Sequence, residues 1–241
     1  MIGIIGYGRF GQLTARYLSQ DADVFVCGRR EIAANGDLPR VHPVDLKEVC
    51  RQKIVIPAVP ISTFQAMLRQ IAPLLKPDSL VIDVCSVKTR PAQWMEAILP
   101  DSVSILATHP MFGPDSAARS LQGMKIALCK VRIDDEPYTQ IKSYLTSLGL
   151  EEIETTAENQ DRQIAVSLSL THFIGRALAA FGAEPMDIDT EGYKRLLHIL
   201  GVVEHDTWQL FVDMHRYNPY AQETRNSFMA AMQEIDSELN G

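Results

Sequence analysis

The sequence predicts an α/β fold: an N-terminal Rossmann-type, doubly wound parallel sheet over residues 1–154, then an all-helical dimerisation domain over residues 155–241. Three observations carry this. Over roughly the first 150 residues, short apolar runs alternate with amphipathic stretches, the pattern of β-α-β units whose helices cover a parallel sheet. The first turn of that series reads GYGRFG, at residues 6–11. From about Thr155 the strand-like runs stop and a helical period takes over.

Taken in order, the predicted strands are MIGIIG (1–6), DVFVCG (23–28), KIVIPAV (53–59), SLVIDV (79–84), SVSIL (102–106) and KIALCKV (125–131). Between the earlier ones, FGQLTARYLSQ (10–20) puts Leu13, Tyr17 and Leu18 on one helical face. ISTFQAMLRQIAPLL (61–75) does the same with Phe64, Met67, Leu68, Ile71 and Leu75, and Ser62 or Thr63 is its expected N-cap. In the second domain, residues 157–182 form one long helical pattern, and 191–218 and 219–239 supply two or three more, the last begun by Pro219. So few residues with such wide apolar faces bury themselves poorly alone, so a homodimer through the helical domain is expected.

Composition excludes some functions. A net charge of −7 over 241 residues argues against a nucleic-acid or anionic membrane-surface partner. The four cysteines, Cys27, Cys50, Cys85 and Cys129, form no CxxC pair and read as free thiols in a reducing compartment; no spacing suggests zinc, so no metal is expected. The N-terminus lacks a basic region and a cleavage site, and no apolar run approaches the roughly 18 residues of a membrane span. The expectation is a cytoplasmic protein, or an organellar one seen without its targeting segment, with no membrane partner.

GYGRFG is a GxGxxG in its required context, after an apolar strand and before a helix. Gly6 permits the sharp turn, Gly8 lets the backbone approach a pyrophosphate, and Gly11 lets helix and strand pack closely. With Arg9 and Phe10 between them, they form the expected cofactor loop, the helix N-terminus facing the phosphates. About 20 residues on, where an NAD site usually places Asp or Glu, the sequence reads VFVCGRR. Gly28 leaves room there for a 2′-phosphate, and Arg29 and Arg30 can pair with it, which predicts NADP. The alternative is that both arginines are solvated loop residues.

His109 stands in ATHPMFGPDS (107–116), after a predicted strand and before two prolines and a glycine, where a rigid turn would fix its ring. Together with GYGRFG and DVCSVKTRP (83–91), the run THPMFGPDS resembles the prephenate and arogenate dehydrogenases of tyrosine biosynthesis. The likeness extends to THFIGRAL (171–178) and GYKRLL (192–197), and its wording is closest to the plant-type, NADP-using arogenate dehydrogenases.

The resemblance implies a reaction. Such enzymes oxidise a cyclohexadienyl ring with a hydroxyl at one end and a carboxylate at the other; hydride goes to the nicotinamide, carbon dioxide leaves, and the ring becomes aromatic. His109 matches the family's catalytic histidine. Read from the residues, a neutral imidazole is the natural acceptor for the hydroxyl proton, at the strand ends where doubly wound sheets place ligands. Ser86 matches a family serine near that hydroxyl; alternatively it is a helix cap. Lys88 is either an exposed loop lysine or a neighbour of substrate or cofactor. Val59 and Pro60 are expected to wall the nicotinamide pocket. His172 matches a substrate-site histidine, and Arg176, one turn later, and Arg225 are the candidate cations for the substrate carboxylates.

Two departures qualify the likeness. Prephenate-type members carry an arginine roughly nine residues before a tryptophan; with Trp208 as that tryptophan, the position holds Ile199. Many members have His-Asp where this chain reads Gln160-Asp161. The first favours arogenate, whose side chain sets an ammonium beside its carboxylate. The expected function is therefore NADP-dependent oxidative decarboxylation of arogenate to tyrosine. A prephenate or dual-specificity cyclohexadienyl dehydrogenase and, more distantly, a non-enzymatic NADP-sensing module are the alternatives. A β-hydroxyacid-type dehydrogenase would need a lysine in the first helix of the second domain, and 157–182 has none.

Overall fold

A computed structural model describes residues 1–29, 32, 38–204 and 206–241. The chain divides into two compact units, Met1–Ala157 and Glu158–Gly241.

In the first unit, eight strands form one sheet: β1 (Ile2–Ile5), β2 (Val24–Cys27), β3 (Val41–Pro43), β4 (Ile54–Pro57), β5 (Leu80–Asp83), β6 (Ser104–Pro110), β7 (Lys125–Arg132) and β8 (Glu151–Glu154). Their order is β3-β2-β1-β4-β5-β6-β7-β8, and β3 through β6 are all parallel. The doubly wound reading therefore holds, with the order reversing between β1 and β4, where such sheets bind ligands. The strands read as continuous apolar runs because helices cover both faces: Val24, Val26, Ile4, Val55, Val81, Ile105 and Leu106 have essentially no exposed surface.

β7 departs from the parallel pattern. It runs antiparallel to β6, His109 pairing with Ala127. The connection from Met111 to Met124 contains no helix, and a parallel return needs a crossover that is usually one. β3, of three residues, and β8, reading EEIE, lacked the apolar runs by which the other strands were recognised.

The helices of this unit are α1 (Arg9–Leu18), α2 (Leu46–Val49), α3 (Ile61–Ile71), α4 (Thr89–Ile98) and α5 (Asp135–Ser147). The expected caps of α3 are corrected. Its N-cap is Pro60, and Thr63 Oγ1 donates back to the Pro60 carbonyl at 2.9 Å, so Ser62 and Thr63 already lie within the helix.

The second unit is helical: α6 (Ala157–Ile164) runs through a π-helical segment, Ala165–Leu170, into α7 (Thr171–Phe181), followed by α8 (Glu191–Glu204), α9 (Trp208–Arg216) and α10 (Ala221–Leu239). α7 and α8 pack closely: a Cβ added at Gly175 would lie 2.7 Å from Val203 Cγ2. The break between α8 and α9 is set by Thr207, whose hydroxyl caps α9 by accepting from Leu210 N at 3.1 Å. Pro219 does not begin the last helix, which starts at Ala221 after Tyr220 as N-cap. One further expectation is corrected. The helix from Ala157 to Phe181 contains an 18-residue window of mean hydropathy 1.5, long and apolar enough to cross a membrane by length and composition. Ser, Thr, Gly and His interrupt its apolar runs without lowering that mean much.

Candidate active site

The glycine loop is shaped by two different demands. Gly6 has φ +103°, a region that favours glycine, and a Cβ there would lie 2.3 Å from the Ala58 carbonyl oxygen. A Cβ on Gly11 would lie 2.0 Å from the Gly6 oxygen. Both glycines are thus required by the protein's own packing. Gly8 differs, because a Cβ on it would meet nothing within 4 Å. Gly8 is also the N-cap of α1, without a side-chain cap and with no acidic residue in the first turn. Open space above a bare backbone, beside a helix end with unpaired amides, fits a diphosphate.

At the carboxyl ends of β2 and β3 lies a cavity of about 410 Å³, lined by Val26, Cys27, Gly28, Arg29, Pro43 and Val44. Among the described residues that line it there is no carboxylate, and Arg29 supplies a cation. Arg30 lies outside the described residues. Cys27 is a free, half-buried thiol whose pKa burial pushes up to about 11, so it stays a thiol. Phe10 packs its ring against the apolar core around Leu13. Arg9 is exposed and pairs with Asp115 at 2.6 Å, tying the glycine loop to the segment after His109. Val59 lies in the turn between β4 and α3, its Cγ1 3.3 Å from the Gly6 Cβ position, and Pro60 follows as the α3 cap.

His109 lies at the carboxyl end of β6 and is 5% exposed. Burial, reinforced by the positive charge of Lys88, lowers its pKa to about 3. At neutral pH the ring is an uncharged imidazole with a lone pair to offer. Ser86 sits half-buried in the turn after β5. It does not cap α4, whose N-cap is Lys88.

Lys88 is not an exposed loop lysine. Both it and Asp83 are wholly buried and form an ion pair. Lys88 Nζ donates to Asp83 Oδ2 and to the carbonyl of Thr108, the residue before His109. Asp83 Oδ1 accepts from Cys85 N at 2.7 Å, and its main-chain oxygen accepts from Thr108 Oγ1 at 2.7 Å. Burial pushes the Asp83 carboxyl up, and Lys88 opposes that rise. Sequence reasoning missed this pair. The available signal was an aspartate closing an apolar strand, with a lysine five residues on.

The second unit gathers other predicted residues. His172 and Arg176 lie one turn apart on α7, and both turn to Asp206: His172 Nε2 lies 3.6 Å from Asp206 Oδ2, and Arg176 Nη2 donates to the Asp206 carbonyl. Arg176 also sits over the Trp208 ring, 5.9 Å from its centroid. Arg225, on α10, donates to His215 Nδ1 at 3.1 Å and stands over the Phe173 ring. His215, which sequence reasoning passed over, has its pKa lowered to about 4 by burial and by Arg225. Ser169 Oγ and His172 Nδ1 are buried without a hydrogen-bond partner among the described residues. Gln160 and Asp161 are buried in α6, where Asn218 Nδ2 donates to the Asp161 carbonyl at 2.8 Å.

Residues 30–153 match the family model "Prephenate dehydrogenase, nucleotide-binding domain", and residues 177–241 match "TYRAAT1-like, C-terminal domain". The chain is 32% identical over 253 residues to arogenate dehydrogenase 2, chloroplastic, of Arabidopsis thaliana, covering 100% of this chain and 70% of that protein. It is 30% identical over 250 residues to arogenate dehydrogenase 1, chloroplastic, of the same plant, covering 100% of this chain but 39% of that longer protein. The crystal structure of A. aeolicus prephenate dehydrogenase in complex with hydroxyphenyl propionate and NAD+ superimposes with TM-score 0.77 at 18% identity, covering 99% of this chain and 90% of that one.

Proposed function

The chain belongs to the prephenate and arogenate dehydrogenase family, and from that premise we propose that it oxidatively decarboxylates L-arogenate to L-tyrosine with NADP as hydride acceptor. The observation that carries this reading is His109, a buried, uncharged imidazole at the carboxyl end of β6. When bound, the dinucleotide supplies the acceptor for the hydride. The chain's residues handle the rest. As hydride leaves the hydroxyl-bearing carbon, the oxygen becomes a carbonyl and its proton passes to His109. The low pKa of His109 is no obstacle, because the proton on an incipient carbonyl is far more acidic than the original alcohol. Ser86 hydrogen-bonds near the same hydroxyl. Loss of carbon dioxide from the opposite carbon completes an aromatic ring.

Gly8 with Arg9 and Phe10 would hold the diphosphate by main chain in a loop shaped by Gly6 and Gly11, Val59 and Pro60 would wall the nicotinamide, and Gly28 with Arg29 and Arg30 would select the 2′-phosphate. His172, Arg176 and Arg225 are the groups for the substrate carboxylates. Ile199 in place of an arginine favours arogenate over prephenate. The exposed apolar side chains of α9 and α10, including Trp208, Met232 and Ile235, support a homodimer through the helical unit.

Initial rates of reduced-cofactor formation with arogenate and with prephenate, each with NADP and with NAD, test this. Fast turnover confined to arogenate with NADP is the expected result. Fast turnover with prephenate would replace the substrate assignment, and preference for NAD would remove the role given to Arg29.

A further inference from the structure

Asp83 and Lys88 do more than fill space. Neither side chain has accessible surface, and burying two charges costs desolvation that an apolar pair of similar volume avoids, often with equal or better stability. What an apolar pair lacks is direction. Here the bonds run from the pair to named main-chain atoms: Asp83 Oδ1 to Cys85 N, and Lys88 Nζ to the Thr108 carbonyl. Thr108 Oγ1 adds a return bond to the Asp83 carbonyl. Ser86 lies inside the turn so closed, two residues before Lys88, and His109 directly follows Thr108.

We propose that Asp83 and Lys88 are positioning residues of the reaction: their buried ion pair clamps the turn bearing Ser86 to the strand end bearing His109 and holds those two residues in one relative geometry. The inference rests on the assignment of His109 and Ser86 to the chemistry. The pair also has an electrostatic consequence. Lys88 places a positive charge near the imidazole, so removing the pair raises the ring's pKa by electrostatics alone, and the clamp is read instead from the relative position of the two segments.

Because Lys88→Met alone strands a buried carboxyl, the decisive variant is the double substitution Asp83→Leu with Lys88→Met, which removes both charges and keeps apolar volume. It is expected to melt near the wild-type temperature, to bind NADP with unchanged Kd and to keep KM within about threefold, while kcat falls about a hundredfold, the loss typical of a misplaced catalytic group. In NMR spectra, nuclear Overhauser contacts between the Ser86 turn and the His109 strand end should weaken as the two segments lose their fixed geometry. Wild-type kcat in the stable double variant, or unchanged Overhauser contacts between the Ser86 turn and the His109 strand end, would overturn the proposal. If the wild type turns over neither substrate and the nuclear Overhauser contacts between the Ser86 turn and the His109 strand end still weaken in the double variant, the clamp stands and the functional reading falls. Should the double variant not fold, the nearly isosteric Asp83→Asn serves: reduced kcat with unchanged NADP affinity is expected, and normal kcat would overturn the clamp.

Discussion

In the sheet unit, the large apolar side chains are inside, and among the described residues Met1, Met111 and Ile153 alone of that class stand exposed. The helical unit leaves Val166, Phe181, Ile188, Trp208, Met232, Ile235 and Leu239 in solvent. The contrast repeats for buried polar groups. Asp83, Lys88 and Thr108 satisfy one another, whereas Ser169 Oγ, His172 Nδ1 and Arg176 Nε have no hydrogen-bond partner among the described residues. An unpaired buried polar atom costs about 1–3 kcal/mol, and exposed large apolar side chains in this number are the kind of surface that a partner covers. The first unit is explained by its own sequence. The second would become explicable if, as proposed, a second copy covered those side chains and a charged ligand met its polar groups.

The largest expected effect breaks the comparison on the helical side. Met232→Asp with Ile235→Asp would bury charge in the proposed interface, and should raise the dimer dissociation constant by about a thousandfold or more. Sedimentation equilibrium reads this, and a wild type that sediments as a monomer would remove the dimer from the account.

Next comes a contrast inside the sheet unit. Gly8→Ala adds a Cβ into open space, so the melting temperature should hold while NADP affinity falls about a hundredfold by steric loss of phosphate contact. Gly11→Ala drives a Cβ against main chain and should cost on the order of 1–3 kcal/mol of stability, as overpacking does. Equal behaviour of the two variants would contradict the division between a glycine needed by the ligand and one needed by the fold. Arg29→Ala should weaken NADP by roughly 10- to 100-fold, the worth of a charge-assisted hydrogen bond of about 1.5–3 kcal/mol, and leave NAD unchanged. Isothermal titration with both cofactors decides it.

Acid stability gives a smaller effect shared by both units. Burial lowers His109 to about 3 and His215 to about 4, below the ordinary 6.5. The unfolded chain therefore takes up protons that the folded chain refuses, and stability falls as pH drops below about 6.5. For the wholly buried His109 the slope is about 1.4 kcal/mol per pH unit; the less buried His215 adds less. His109→Gln should flatten denaturant midpoints between pH 6.5 and 4.5 relative to wild type, and an unchanged slope would contradict the buried, neutral ring.

What the sequence made legible depended on how local the cause was. Gly6 needs its positive φ and Gly11 approaches the Gly6 carbonyl five residues back, both local causes, so GYGRFG announced the turn, whereas the approach of Gly6 to Ala58, distant in sequence, was hidden. The place of His109 at a strand end was legible because strand, proline and glycine surround it within ten residues. Lys88 was not, since a charged residue in a connecting segment ordinarily reads as solvated, and its burial depends on Thr108, twenty residues on. His215 was missed for the same reason, as its partner Arg225 belongs to the next helix. The antiparallel β7 was hidden because a strand's composition does not state its direction; the helix-free connection before it does.

The most direct test of the central claim compares wild type with His109→Ala, measuring kcat with arogenate and NADP, NADP affinity, and the wild-type pH profile of kcat/KM. The account predicts that kcat falls by roughly 10²- to 10⁴-fold, the usual worth of a general base, while NADP affinity is unchanged. The wild-type profile should run flat through pH 6.5, because His109 titrates only near 3. Near-normal turnover without the imidazole would contradict the assignment of His109 as the proton acceptor.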